Sequence, residues 1–293
     1  MKIMYCLDGH QELARAICES RQIIYGEYEQ RLFPDGEYYF RNLSNVEDAD
    51  VWLLCSLNQP NSKFIKIIFM AEMIRQQGAK RVGLVSPYLG YMRQDAVFNQ
   101  GEINTAQIFA SAITKYIDKL ITVDPHLHRI LDLNEIYNIP AIALSAAETV
   151  ASWIKANVSQ PYIIGPDSES EQWVKVIAKS LDCGYQVQSK IRRGDYDVSI
   201  SALSKVSEHV TPILFDDIIS SGKTMLGLVE QFKEQPCKAP ICICTHALFN
   251  ESTYKELINA GASVVYSTNT IKHFSNHINL AKLIASELHF NDC

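Results

Sequence analysis

The segment Pro212-Ile213-Leu214-Phe215-Asp216-Asp217-Ile218-Ile219-Ser220-Ser221-Gly222-Lys223-Thr224 carries most of the chemistry legible in this chain. Its apolar residues 213–215 read as a strand that ends in two acids. A loop of small residues follows, then a helix over 224–234. Ser220, Ser221, Gly222, Lys223 and Thr224 offer hydroxyls and unhindered backbone N–H groups at a helix N-terminus. That arrangement is a phosphate cradle, because the unpaired N–H groups and the helix dipole both favour an anion there. The paired carboxylates of Asp216 and Asp217 suit the vicinal hydroxyls of a ribose. In an open α/β sheet, ligands bind at the carboxyl ends of strands, where these residues fall. Gly222-Lys223-Thr224 resembles the end of a Walker A loop, but that motif needs glycine at position 217, which is aspartate. The plainer alternative is that the acids cap a helix; the order strand, acid pair, small loop, helix favours ligand binding.

Other polar clusters punctuate apolar runs. Pro34-Asp35-Gly36 is a turn signal between Tyr25-Gly26-Glu27-Tyr28-Glu29 and Glu37-Tyr38-Tyr39-Phe40, so the region 26–45 reads as an antiparallel hairpin. Arg93, Gln94 and Asp95 follow a strand, as do Asp124-Pro125-His126 and Gly165-Pro166-Asp167. His126 beside Asp124 suits a metal, whereas Asp167 alone would be a helix cap. Lys190 and Arg192 precede the polar stretch Arg193-Gly194-Asp195-Tyr196, where two cations could close over a polyphosphate.

The elements that must position these residues alternate. Strands are expected at 51–55, 81–86 and 119–124, with helices at 64–77 and 103–113. A second round has helices at 147–156, 171–181, 224–234 and 252–260, and strands at 162–165, 213–215, 241–247 and 263–267. Such alternation implies two doubly wound parallel-sheet α/β domains, 1–144 and 145–293, with the hairpin in the first. The 293 residues are 47% hydrophobic and 20% charged, ample for cores of that size. A net charge of −6 argues against nonspecific nucleic-acid binding. No apolar run is long enough to span a membrane, and the start reaches Asp8 too soon for a signal peptide. The eight cysteines are scattered through apolar stretches and read as reduced, buried thiols of a cytoplasmic protein. Cys242-x-Cys244 reads as alternation in a strand rather than half a metal site.

Taken together, these segments resemble the ribose-phosphate pyrophosphokinase family, in its archaeal-type branch. The binding loop 212–224 resembles the phosphoribosyl-pyrophosphate loop shared with phosphoribosyltransferases. Arg31-Leu32-Phe33-Pro34-Asp35-Gly36-Glu37 resembles the family hairpin, and Pro87-Tyr88-Leu89-Gly90-Tyr91-Met92-Arg93-Gln94-Asp95 its Pro-Tyr-x-Gly-Tyr-x-Arg-Gln-Asp signature. Asp124-Pro125-His126, Gly165-Pro166-Asp167, Lys190-Ile191-Arg192, Thr245-His246 and Thr268-Asn269-Thr270 recur in the expected order from about residue 3 to 288. The resemblance implies two phosphoribosyltransferase-type domains, the first with the ATP site and hairpin, the second with the ribose 5-phosphate site. It implies transfer of the diphosphoryl group of ATP to the C1 hydroxyl of ribose 5-phosphate, with Mg2+ as cofactor.

By the same resemblance, Phe33, Asp35, Glu37, Arg93, Gln94 and Asp95 bind ATP, with Phe33 stacking on adenine. Asp216, Asp217, Ser220, Ser221, Gly222, Lys223 and Thr224 bind ribose 5-phosphate. His126 and Asp167 hold the metal, and Lys190 and Arg192 are catalytic. A hairpin that serves a neighbour's ATP site implies at least a homodimer. The chain departs from the pattern at Ala96 and Val97, where basic residues are usual, and at Ser168-Glu169-Ser170-Glu171, where glycine is usual. The stretch after His126 lacks the glutamine-rich sequence tied to phosphate regulation, so weak or no phosphate activation is expected. The alternatives are an inactive regulatory homologue, or a phosphoribosyltransferase, which would leave the hairpin and the Arg93–Asp95 segment unexplained.

Overall fold

The structure is a computed structural model that describes residues 1–97, 99–127, 129–188, 190–192, 198–200 and 206–290, with backbone alone at 190–192 and 198–200. The chain falls into two compact units. One comprises Met1–Leu144, Thr270–Lys272 and the segment from Leu280 onward; the other comprises Ser145–Asn269 and His273–Asn279.

In the first unit, β1 (Lys2–Cys6), α1 (Gln11–Arg21) and β2 (Ile24–Tyr25) precede a hairpin of β3 (Tyr28–Leu32) and β4 (Tyr38–Asn42). Then come β5 (Asp50–Leu54), α2 (Pro60–Gln76), β6 (Arg81–Ser86), α3 (Thr105–Ile113), β7 (Lys119–Val123) and β8 (Ala141–Leu144). Six strands form one sheet in the order β2-β1-β5-β6-β7-β8, every neighbouring pair parallel. Val51 to Leu54 are all fully buried, as expected for a parallel strand covered on both faces. Trp52 lies over Gly83, where an added Cβ would come within 2.3 Å of its ring.

The second unit holds α4 (Ala147–Asn157), β9 (Pro161–Gly165), α5 (Glu171–Leu181), β10 (Tyr185–Val187), a pair β11 (Lys190–Arg192) and β12 (Val198–Ile200), and β13 (Thr211–Ile219). It continues with α6 (Lys223–Glu230), β14 (Ile241–Ala247), α7 (Glu251–Ala260), β15 (Val264–Thr268) and β16 (Asn276–Ile278). The order β10-β9-β13-β14-β15-β16 is again parallel throughout. Each unit places an antiparallel strand pair between the second and third strands of its sheet, β3–β4 in one and β11–β12 in the other.

The doubly wound α/β reading stands, with local corrections. The helix read at 64–77 starts earlier, at Pro60, whose fixed φ and missing N–H suit the first helical position. The hairpin strands lie later than expected, at 28–32 and 38–42. The strand read as 213–215 runs from Thr211 to Ile219, because Ile218 and Ile219 go on pairing with His246 and Ala247. Asp216 and Asp217 therefore sit inside a strand rather than beyond its end. The helix read to 234 ends at Glu230. The strands β1, β2, β8, β10 and β16 and the helices α1 and α8 (Ala281–Ser286) add to the expected elements; β2, β8, β10 and β16 have only two to four residues each, too few to show a period.

The expected second domain, 145–293, loses its tail to the first unit. There α8 packs on α1. Lys119 Nζ donates to the carbonyls of Glu287 (3.3 Å) and His289 (2.7 Å), and Lys2 Nζ to that of Leu288 (2.8 Å). Phe290 stacks on Trp52 at 4.6 Å between centroids, and the Arg81 guanidinium lies 4.7 Å from its ring. The lysine bonds give partners to carbonyls at the C-cap of α8, Glu287, and just beyond it.

Candidate active site

The second unit concentrates acids and a phosphate-type loop at the carboxyl end of its sheet. Alternation along β13 buries Asp217 (6% exposed) and leaves Asp216 on the other face, half-buried beside Cys244 of β14. Burial, then the neighbouring charges of Asp217 and Asp167, push the Asp216 carboxyl well above the usual carboxylate range. Asp167, in the turn after β9, accepts at Oδ1 from the N–H groups of Glu169 (3.2 Å) and Ser170 (3.3 Å). It thus forms a cap before α5 while its charge reaches Asp216. Gly165 is required beside it, since a Cβ there would meet Ser170 Oγ at 2.2 Å.

After β13 the chain turns at Ser220 and Ser221 into Gly222, the N-cap of α6. Gly222 has φ +72°, and a Cβ on it would meet Thr253 Cγ2 at 2.4 Å. No other residue type fits both the left-handed backbone and that gap. Ser221, Lys223 and Thr224 are exposed. No side chain caps α6 from the N-cap position, so the loop presents backbone donors at a helix start. Thr245 and His246 are buried at the end of β14, and Thr268 Oγ1 donates to the Thr245 carbonyl (2.6 Å). Cys242 and Cys244 are both buried in β14, and burial raises both thiols. Thr253 is a contact that the sequence does not reveal, because it comes from a different helix.

In the first unit, Arg93, Gln94 and Asp95 follow β6, and the Asp124–His126 turn follows β7. Gly90 lets this loop pass the Leu57 carbonyl, which a Cβ would approach to 2.7 Å. Arg93 is exposed, Gln94 half-buried and Asp95 buried. The Asp95 carboxylate is engaged by Arg129, through its backbone N–H (3.1 Å) and Nη1 (3.0 Å). Within the protein, the partner of this carboxylate is therefore Arg129. His126 is half-buried, and Asp124 is buried with φ +35°.

On the hairpin, Phe33 (38% exposed), Asp35 and Glu37 sit around the turn, where Asp35 Oδ1 accepts from the Glu37 N–H (3.2 Å). The Arg31 guanidinium lies 4.8 Å from the Phe33 ring centroid and 4.6 Å from that of Tyr39. Lys190 and Arg192 fall on β11, paired with β12; their side chains, like His128, lie outside the described residues. Among the described residues, no group of three or more His, Cys, Asp and Glu side chains is arranged to hold a metal, and no helix is long and apolar enough to cross a membrane.

Two parallel sheets of one topology, with a phosphate-type loop after the third strand of the second, define a pair of phosphoribosyltransferase-type domains. Residues 132–282 match the phosphoribosyl transferase domain, and residues 1–116 match the N-terminal domain of ribose phosphate pyrophosphokinase. The chain is 30% identical over 292 residues to the ribose-phosphate pyrophosphokinase of Methanobrevibacter smithii, covering 95% of this chain and 97% of that one. It is 29% identical to ribose-phosphate pyrophosphokinase 2 of Archaeoglobus fulgidus, covering 98% and 100%. The fold matches the crystal structure of phosphoribosylpyrophosphate synthetase from Mycobacterium smegmatis, with a TM-score of 0.83, 22% identity and coverage of 97% and 96%. The chain belongs to the ribose-phosphate pyrophosphokinase family. The match of its first unit leaves the phosphoribosyltransferase alternative unfavoured.

Proposed function

We propose that this protein transfers the diphosphoryl group of ATP to the C1 hydroxyl of ribose 5-phosphate, giving phosphoribosyl pyrophosphate and AMP. The observation that carries the reading is the run from Asp216 and Asp217 in β13 into the Gly222 loop at the start of α6, in a chain of this family. The 5-phosphate sits on Ser220, Ser221, Gly222, Lys223 and Thr224, and the ribose hydroxyls face Asp216 and Asp217. ATP lies on the first unit, its phosphates toward Arg93 and Gln94. The hairpin residues Phe33, Asp35 and Glu37 read the adenine of an ATP held by a second copy, so the working form is at least a homodimer.

In the reaction the C1 hydroxyl oxygen attacks the β-phosphorus and releases its proton to solvent, the bond to the α–β bridging oxygen breaks, and AMP leaves with that oxygen. Lys190 and Arg192 neutralise the charge that develops on the phosphoryl oxygens. The repulsion that Asp217 and Asp167 impose on Asp216 is the kind a bound cation relieves, which fits magnesium on this face. Asp167 is the candidate holder on this face and His126 the candidate on the first unit's own ATP face; Mg2+ would supply screening of phosphate oxygens.

The test is a product assay with purified protein, ATP, Mg2+ and ribose 5-phosphate. AMP and phosphoribosyl pyrophosphate should form in equal amounts. Binding of both substrates without AMP would point instead to a regulatory homologue, with Ala96, Val97 and Ser168 to Glu171 the first positions to revert.

A further inference from the structure

Asp95 is the one residue of the Arg93–Asp95 run whose side chain turns away from solvent, 3% exposed against 57% for its partner Arg129. A buried carboxylate needs hydrogen-bonded cationic company to offset lost hydration. Arg129 supplies it twice, from backbone and guanidinium, 3.1 and 3.0 Å away. The same short segment is fixed from the opposite direction. Asn104 Nδ2 donates to the Asp95 carbonyl (2.8 Å) while Asn104 Oδ1 caps α3 by accepting from the Gln107 N–H (3.0 Å). The Ala106 N–H donates to the Gln94 carbonyl (3.3 Å). The loop bearing His126 is tied at its start, where the Asp124 N–H donates to the Leu144 carbonyl (2.8 Å) and the chain turns through a left-handed φ of +35°. Arg129 fastens its far end.

We infer that Asp95 and Arg129 are a pair of positioning residues that hold the Arg93–Gln94 edge and the Asp124–His126 turn in one fixed relation. The inference rests on the proposed reading of this edge as the ATP site. Arg93 and Gln94 directly precede Asp95 in the chain, and His126 lies three residues before Arg129. Loosening the pair separates the groups that meet the nucleotide's phosphates and its metal without removing any of them. Outer partners of this sort govern ligand geometry nearly as strongly as the ligands do. Asp95 touches Arg129, not nucleotide, and Arg129 becomes as important as Asp95 although no motif marks it.

The experiment compares R129M, D95N and the double variant with the parent, reading KM for MgATP, KM for ribose 5-phosphate and the thermal midpoint. Each single change should raise KM for MgATP about tenfold or more and leave KM for ribose 5-phosphate within about twofold; the double variant should be no worse than the worse single, because the two act as one unit. R129K should recover part of the loss by restoring the charge, and it serves as the test if R129M does not fold. An increase in D95N with a parental KM in R129M would overturn the inference and return Asp95 to the nucleotide. So would parallel increases in both KM values with a lowered midpoint, the mark of a merely structural tie. R93A separates the two levels: if it leaves KM for MgATP unchanged, the ATP reading of this edge fails; if it raises KM while R129M does not, only the positioning pair fails.

Discussion

The two units share one strand order, parallel pairing throughout and one inserted strand pair, yet the loop after the third strand differs completely between them. In the second unit that strand carries Asp216 and Asp217 and opens into Ser220 to Thr224, with a left-handed glycine at the helix start. In the first, β5 leads into Cys55-Ser56-Leu57-Asn58-Gln59, which the protein itself fills. Asp8 Oδ2 accepts from the Ser56 N–H (2.7 Å), and Lys63 Nζ donates to the Ser56 carbonyl (2.6 Å) and to Asn58 Oδ1 (2.6 Å). Ser56 Oγ donates to the Thr270 carbonyl. A phosphate loop needs donors left over for an anion, and here the corresponding turn is closed by side chains of its own unit. The comparison teaches that the doubly wound frame sets where a site can be, and that a few loop residues decide whether it is one.

The largest expected effect falls on the chemical step. Lys190→Ala should cut kcat by roughly a hundredfold to a thousandfold with little change in folding, as removal of one preorganised cationic group does. A near-normal kcat would remove Lys190 from the mechanism. Next is the loop glycine. Gly222→Ala forces a Cβ into both an unfavourable φ and the Thr253 methyl, so KM for ribose 5-phosphate should rise at least about tenfold while KM for MgATP stays near parental. Equal rises in both constants would deny that the two substrates use different units.

The first unit should respond in stability instead. It alone is completed by the chain's last segment, through Lys119 and Lys2. Lys119→Met leaves the Glu287 and His289 carbonyls without that donor and should lower unfolding free energy by about 1–3 kcal/mol, read by denaturant midpoint. An unchanged midpoint would show that the segment contributes nothing to the unit it covers.

The smallest effect is of opposite sign. Asp216 has a carboxyl raised in the folded state above its unfolded value, so folding is penalised once pH rises through the unfolded and then the folded pKa. Asp216→Asn removes that penalty. Its thermal midpoint should exceed the parent's near neutral pH, and the gain should vanish below the ordinary carboxylate range. A lower midpoint at neutral pH would mean that the acids stabilise the unliganded protein.

Much of this was legible in sequence because the signals are local. The strand 81–86, the helix 171–181 and the strand 241–247 have the bounds that period and punctuation imply. The loop Ser220 to Thr224 was legible because small residues after an apolar run have few other reasons to be there. What escaped depends on pairing at a distance. The extension of β13 to Ile219 is fixed by the partner strand β14, not by its own residues. The role of Asp95 depends on Arg129, thirty-four positions away. The return of residues 280–290 to the first unit depends on lysines at positions 2 and 119.

The most direct test of the contrast between the units is calorimetric titration of ribose 5-phosphate into the parent protein, Gly222→Ala and Lys63→Met. The expected result is one site per chain in the parent and in Lys63→Met, and a loss of about tenfold or more in affinity in Gly222→Ala. Full binding in Gly222→Ala, or loss in Lys63→Met, would place the sugar phosphate on the first unit and contradict the assignment.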